Sequence, residues 1–432
     1  MQDLTLPSDL FIKNRLNFVK KMAANSIAIF TSNDIMPNNA DDMMGFTQNN
    51  DLFYMSGIDQ EESVLLLYPD AVLPENREIL FLKETNDTIK IWEGEKLTKD
   101  QATAVSGVKN VKWVKEFELA LQYMAFEADT FYLGHNEHKK TLTAEMNTRQ
   151  DRMISYCKER YPLHNYKRAA VITRELRQIK SEEEVAFIQK AADISVESFK
   201  RVLKAVRPGM MEYELEAELT YELVRKGAKR HAFLPIVASG ANACALHYNT
   251  NQAECKKGDM VLMDFGVCFG NYNSDTTRCF PVNGSFSPRQ KKVYNAVLHC
   301  LKEGSKLLKP GAVSAEYERQ MALLVEEQLI KLGLLKQEEV NSQDPNKPLY
   351  KKYFMHGTAH HIGLDVHDVG LYTRTFEPGM VLTCEPGIYI PEEAIGCRLE
   401  NDYLITKTGN RNLTAAMPIE IDEIEALIKG NG

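Results

Sequence analysis

A chain of 432 residues exceeds the usual size of one hydrophobic core, so two domains are expected. Its 44% hydrophobic and 26% charged residues are those of an ordinary soluble globular protein, and a net charge of −8 argues against a general nucleic-acid surface. No stretch approaches the ~20 apolar residues of a membrane span, and Met1 to Leu10 lacks the basic and apolar regions of a secretory signal.

The first ~170 residues alternate short β-rich runs with helical ones. Ile27–Phe30, Val64–Tyr68, Ile79–Leu82 and Thr130–Leu133 read as buried strands, and Phe11 to Met22 and Phe117 to Phe126 carry helical apolar spacing. No ligand cluster is evident there, so residues 1–170 are expected to form a non-catalytic mixed α/β domain, with residues 171–432 as a second domain. The eight cysteines include no C-x-x-C pair and are irregularly spaced, which reads as reduced thiols in the cytoplasm.

The second region repeats itself. Ser181-Glu-Glu-Glu184 is a capping box opening a helix striped with Val185, Ile188, Ala192, Phe199 and Val202, and the helix stops before Pro208-Gly209. A second helix, with Leu215, Leu219 and Leu223 in register, stops at Gly227. Ser287-Pro-Arg-Gln290 then opens an equivalent helix, closed by Pro310-Gly311, and a further helix stops near Gly333. Each pair of helices is followed by a glycine, an apolar strand, an acid and a second glycine. The first such run is Gly258 to Asp264 and Gly266, and the second is Gly379 to Glu385 and Gly387. A further acid is expected on the next strand of each half, Asp275 and Glu400. The two acids lie farther apart than the two Pro-Gly pairs, which places a polar surface insertion at residues 335–352.

A duplicated α/β unit with acids at matching strand ends brings the four carboxylates together near a pseudo-two-fold axis. Met355 to His367 adds four of the ten histidines. Carboxylates with one imidazole suit hard or borderline divalent cations, manganese above all, and four acids shared by two ions must bridge at about 3.5–4 Å. Such a pair polarises a carbonyl and acidifies a bridging water. His356 and His360 are four apart, but Gly357 follows His356, so the H-E-x-x-H zinc motif fails. His247 and His367 stand nearly equal distances before Asp264 and Glu385 and could donate to a developing oxyanion. Taken singly, each of these residues has a blander role: a turn former for Asp264, a cap or Arg278 partner for Asp275, a salt bridge to Arg398 for Glu400. The ordered repeat favours the ligand set. No G-x-S-x-G elbow, P-loop or dinucleotide fingerprint is present.

The blocks Ala245-Leu-His-Tyr248, Met263-Asp-Phe-Gly266, Ser274-Asp-Thr-Thr-Arg278, His356-Gly-Thr-Ala-His360, Leu364 to Gly370, Glu385-Pro-Gly-Ile-Tyr389 and Arg398-Leu-Glu400 resemble those of the creatinase/methionine-aminopeptidase superfamily, peptidase family M24. Within it the resemblance is nearest to the Xaa-Pro aminopeptidases. Gln48 to Gly57 and Ile91-Trp-Glu-Gly94 are similar to the N-terminal domain of that family. The resemblance implies an α/β (α+β) chain, with a creatinase-like domain followed by a pseudo-two-fold pita-bread domain. It implies Asp264 on one metal, His360 and Glu385 on the other, and Asp275 and Glu400 bridging. Glu385 would move protons for the attacking hydroxide, His247 and His367 would stabilise the tetrahedral intermediate, and His356 would line a proline pocket. Arg398 would hold the carboxylates, and Trp92 would reach a neighbouring subunit's cleft in a homodimer or homotetramer. His361 departs from the aromatic or bulky apolar residue usual in relatives, which would alter the pocket or add a metal contact. The activity implied is release of the first residue from peptides with proline second. Alternatives are a prolidase restricted to Xaa-Pro dipeptides, a non-catalytic pita-bread binding protein, and creatinase-like C–N hydrolysis.

Overall fold

The computed structural model describes residues 5–138 and 146–430. The chain divides into two compact units, Met1–Arg177 and Gln178–Gly432. Among the described residues no helix is long and apolar enough to cross a membrane.

The first unit is built on a six-stranded mixed sheet. Its order across the sheet is Asn110–Trp113, Glu78–Leu82, Val64–Leu67, Ser26–Thr31, Thr130–Leu133 and Asn165–Arg168. The four apolar runs of the sequence form its centre. Ile27, Ile29, Val64, Leu66, Ile79, Phe81 and Phe131 pack with Phe117, Leu121 and Met124 of the helix Phe117–Glu127. The two outer strands went unread because neither is an apolar run; Asn165–Arg168 is mostly exposed and pairs along one edge only. The first helix runs Ser8–Val19, three residues earlier than its apolar spacing suggested.

The second unit contains the repeat. Both capping boxes form: Ser181 accepts from the Glu184 N–H, Ser287 accepts from the Gln290 N–H, and each N3 side chain reaches back to the cap N–H. They open the helices Glu182–Ala205 and Pro288–Leu307, which are followed by Glu212–Arg225 and Ser314–Lys331. The insertion at 335–352 folds a short helix, Gln337–Asn341, and a turn at Leu349–Lys352.

In the first half the strand Met260–Phe265 pairs antiparallel with Thr276–Pro281, and in the second half Val381–Cys384 pairs antiparallel with Asn401–Ile405. Gly258 and Gly379 start these strands at φ +96° and +94°, a backbone region that a side chain disfavours. The outer acids are not on the strand that follows each inner acid. Gly266 and Pro386-Gly387 turn the chain out of its strand into a short excursion, Val267–Asn273 in one half and Gly387–Arg398 in the other. Asp275 and Glu400 then stand immediately before the returning strands. One core joins both halves, with Phe199, Leu262 and Phe280 from the first and Val297, Tyr317, Leu382 and Tyr389 from the second.

Gly266 is needed for close approach. A Cβ there would lie 2.2 Å from the backbone oxygen of Ser274 and 2.9 Å from the Ala232 Cβ. A Gly266→Ala protein should therefore lose roughly 1–3 kcal/mol, read as a lower urea midpoint at unchanged slope.

Candidate metal centre

The acids stand at one end of each strand pair. Asp264 lies opposite Thr277 in the first pair, and Cys384, just before Glu385, lies opposite Asn401, just after Glu400. The ligand atoms of Asp275, His360 and Glu400 lie within 4.8 Å of one another. His360 Nε2 is 3.5 Å from Asp275 Oδ2 and 3.7 Å from Glu385 Oε1. Asp264 faces the same cluster through Arg398, whose Nη2 donates to Asp264 Oδ2 at 2.6 Å. All five acids and histidines of the proposed ligand set thus converge.

His367 and His356 also lie here. The His367 ring lies 4.2 Å from the His360 ring, centroid to centroid. His356 Nδ1 is 3.8 Å from Glu385 Oε2. Burial first, then the charges of Arg398 and more weakly His247, push the His356 pKa down to about 3, so the ring is neutral. Its Nδ1–H donates to the Gly357 carbonyl at 2.7 Å, leaving Nε2 to accept from the Tyr389 hydroxyl at 2.8 Å. Tyr389 in turn accepts from Arg398 Nη1 at 2.8 Å. Trp92 lies in the first unit on the helix Asp87–Glu93 and is 83% exposed. His361 is buried, its ring against Gly370 and at 5.3 Å from that of Tyr372, and it does not join the group of three.

Four residues that sequence reasoning passed over complete the site. Thr277 donates to Glu400 Oε2 at 2.7 Å and accepts from Arg398 Nε at 3.1 Å. Asp402, fully buried, accepts the Asp275 N–H at 3.0 Å. Thr277 and Asp402 are equivalent, two residues past the outer acid of each half, and that equivalence is a signal the sequence already contains. Tyr389 and Thr383 carry no such signal; Thr383 Oγ1 accepts the His360 N–H at 3.1 Å.

The electrostatics are those of a centre built for cations. Burial, then the charges of Asp264, Asp402 and Glu385, holds the Asp275 carboxyl well above its ordinary range. Burial and the Asp275 charge do the same to Glu400, and burial pushes Glu385 and Asp402 up to about 7. Arg398 donates to the Asp264 carboxylate, and Arg278 Nη1 donates to the Glu400 backbone carbonyl at 2.6 Å. Asp264 Oδ1 and Asp275 Oδ1 are buried and accept no hydrogen bond. A buried acceptor left bare is costly unless a cation meets it. His360 is oriented for the same purpose: its Nδ1–H donates to the His361 carbonyl at 3.0 Å, which turns Nε2 toward the acids. The oxygen-rich donor set with one imidazole fits a divalent cation.

Comparison with known proteins decides the family. The profile of metallopeptidase family M24 matches residues 186–407, and that of the aminopeptidase P N-terminal domain matches residues 11–132. The chain belongs to metallopeptidase family M24. It is 35% identical to the Xaa-Pro aminopeptidase of Escherichia coli over 97% of both chains. The solved structure of Pseudomonas aeruginosa aminopeptidase PepP superposes with a TM-score of 0.89 at 32% identity, covering 99% of each chain. A zinc-substituted E. coli aminopeptidase P in complex with product superposes with a TM-score of 0.88 at 33% identity, again over 99% of each chain. This M24 chain is therefore a metal-dependent aminopeptidase with an aminopeptidase P-type N-terminal domain, and its fold is the mixed α/β arrangement that the resemblance implied.

Proposed function

We propose that this M24 peptidase releases the N-terminal residue from peptides carrying proline in the second position, using two divalent cations, manganese by preference. The observation that carries this reading is the convergence of Asp264, Asp275, His360, Glu385 and Glu400 with buried, bare carboxylate oxygens, in a chain 35% identical to an Xaa-Pro aminopeptidase. When bound, the cations would polarise the scissile carbonyl and acidify the attacking water. Asp264 would serve one cation, His360 and Glu385 the other, and Asp275 and Glu400 both. Arg398 holds Asp264 in place, and through Thr277 it also steadies Glu400.

Glu385 takes the proton from the attacking water and passes it to the leaving nitrogen. His247 and His367 donate to the oxyanion that develops on the carbonyl oxygen. Neutral His356, fixed by Gly357 and Tyr389, lines the pocket for the proline ring. Proline lacks an amide hydrogen and distorts extended binding, so the bond before it needs a dedicated enzyme.

The reading extends to the whole chain. Residues 1–170 form the N-terminal domain and 171–432 the catalytic one, in a cytoplasmic homodimer or homotetramer. In that assembly the exposed Trp92 reaches a neighbouring subunit's substrate cleft. All eight cysteines are free, which suits a reducing compartment. The deciding experiment offers the Mn²⁺-loaded protein Gly-Pro and a Gly-Pro-Xaa tripeptide. Cleavage of the tripeptide at the Gly-Pro bond is expected. Rapid cleavage of the dipeptide alone would make the protein a prolidase instead.

A further inference from the structure

Two glutamates outside the ligand set, Glu212 buried and Glu318 half-buried, each gather hydrogen bonds from a loop that carries a site histidine. Glu212, the first residue of the helix Glu212–Arg225, is fully buried. Its Oε1 accepts from the Ser239 N–H at 2.7 Å, the Ser239 hydroxyl at 3.0 Å and Asn242 Nδ2 at 3.1 Å. Its Oε2 accepts from the Tyr248 hydroxyl at 2.8 Å and the Ala253 N–H at 2.9 Å. These donors span the loop that runs from the strand Ile236–Ser239 to the next strand, and His247 lies within it.

Glu318, in the helix Ser314–Lys331, does the equivalent in the other half. Its carboxylate accepts from the Thr358 N–H and hydroxyl at 3.0 Å and from the Ala359 N–H at 3.1 Å. The segment so held leads directly into His360, and the Thr358 carbonyl accepts the Glu385 N–H at 2.9 Å.

Every one of these donors is neutral. A carboxylate accepts hydrogen bonds only, at about four lone-pair sites, so five inward-pointing donors saturate Glu212. No other side chain of that size could face them all: an amide would aim its own N–H groups at donors, and an apolar residue would strand them. His247 is exposed and so are Asn249 and Thr250, which leaves the Tyr248 hydroxyl on Glu212 as the deep anchor beside His247. The helix N-terminus at Glu212 further favours its negative charge.

We propose that Glu212 and Glu318 are paired positioning residues: Glu212 sets the His247 loop against the reacting carbonyl, and Glu318 sets His360 and the Glu385 backbone against the metal. This rests on the roles given above to His247 and His360. It predicts different signatures from two chemically identical changes. In Glu212→Gln, kcat for a Gly-Pro-Xaa tripeptide should fall by about tenfold or more from loop displacement, with Mn²⁺ affinity by calorimetry unchanged. In Glu318→Gln, Mn²⁺ affinity should fall by roughly 10–100-fold, with turnover recovered at excess Mn²⁺. Tyr248→Phe removes one donor without burying an unsatisfied group, so it tests the loop if Glu212→Gln fails to fold; the same loss in kcat alone is expected. Thr358→Val serves Glu318 in the same way, with the loss in Mn²⁺ affinity. His247→Ala and His360→Ala are the controls. If His247→Ala slows turnover but Glu212→Gln and Tyr248→Phe do not, Glu212 is no anchor; if Glu318→Gln and Thr358→Val bind Mn²⁺ normally while His360→Ala does not, neither is Glu318. If the two controls themselves leave turnover and metal affinity intact, the site assignment fails and takes this inference with it.

Discussion

An Asp275→Asn protein is expected to lose at least about a thousandfold in kcat/KM, equivalent to roughly 4 kcal/mol of transition-state stabilisation, while keeping its fold. Asp275 is buried, one of its oxygens accepts no hydrogen bond, and its carboxyl is held well above the ordinary range by burial and by Asp264, Asp402 and Glu385. In the metal-free protein that group is a liability. Replacing it by a neutral amide relieves the repulsion, so the chelated variant should melt no lower than chelated wild type. The loss appears only when the metal is added. Wild type should gain stability with Mn²⁺ by mass action, whereas the variant should gain much less. A residue with a purely structural role would behave in the opposite way, lowering the melting temperature with or without metal. Turnover within tenfold of wild type, with full metal content, would remove Asp275 from the ligand set.

Chelation should cost more stability at pH 7.5 than at pH 5.5. Burial lifts Glu385 from 4.5 to about 7 and Asp402 from 3.8 to about 7 in the folded, metal-free chain. A raised carboxyl pKa means that the folded state holds protons which the unfolded state has released. Stability from these groups is therefore greatest below about pH 4 and declines as pH rises, levelling off above about 7. At about 1.4 kcal/mol per unit, the decline is on the order of a few kcal/mol. Bound divalent cations replace those protons, so the loaded protein should not show it. Taking the difference in melting temperature between loaded and chelated samples cancels groups far from the site, and that difference should widen from pH 5.5 to 7.5. A difference that narrows would show that Glu385 and Asp402 do not sit in the crowded, buried setting described.

Much of the site could be read from the chain alone because the repeat is local. Capping boxes, Pro-Gly stops and a glycine-strand-acid-glycine run each depend on residues within one turn or one strand of each other. Asp264 and Glu385 were found by that pattern, and Asp275 and Glu400 by the next acid along. The short excursions at Val267–Asn273 and Gly387–Arg398 were missed, because Gly266 and Pro386 turn the chain without interrupting its apolar character. Tyr389, Thr383, Glu212 and Glu318 were missed for a different reason. Each acts on a partner through strand register or helix docking, and neither is visible in spacing.

By itself the sequence determined the duplicated unit and the identity of the five candidate ligands. Periodicity and caps act over a few residues and survive in a linear string. Only the folded chain decided which oxygens stay bare, that His360 Nε2 faces the acids, and that Arg398 spans Asp264, Thr277 and Tyr389. Those properties depend on angles and burial between segments over a hundred residues apart, brought together by one shared core, and no local pattern encodes them.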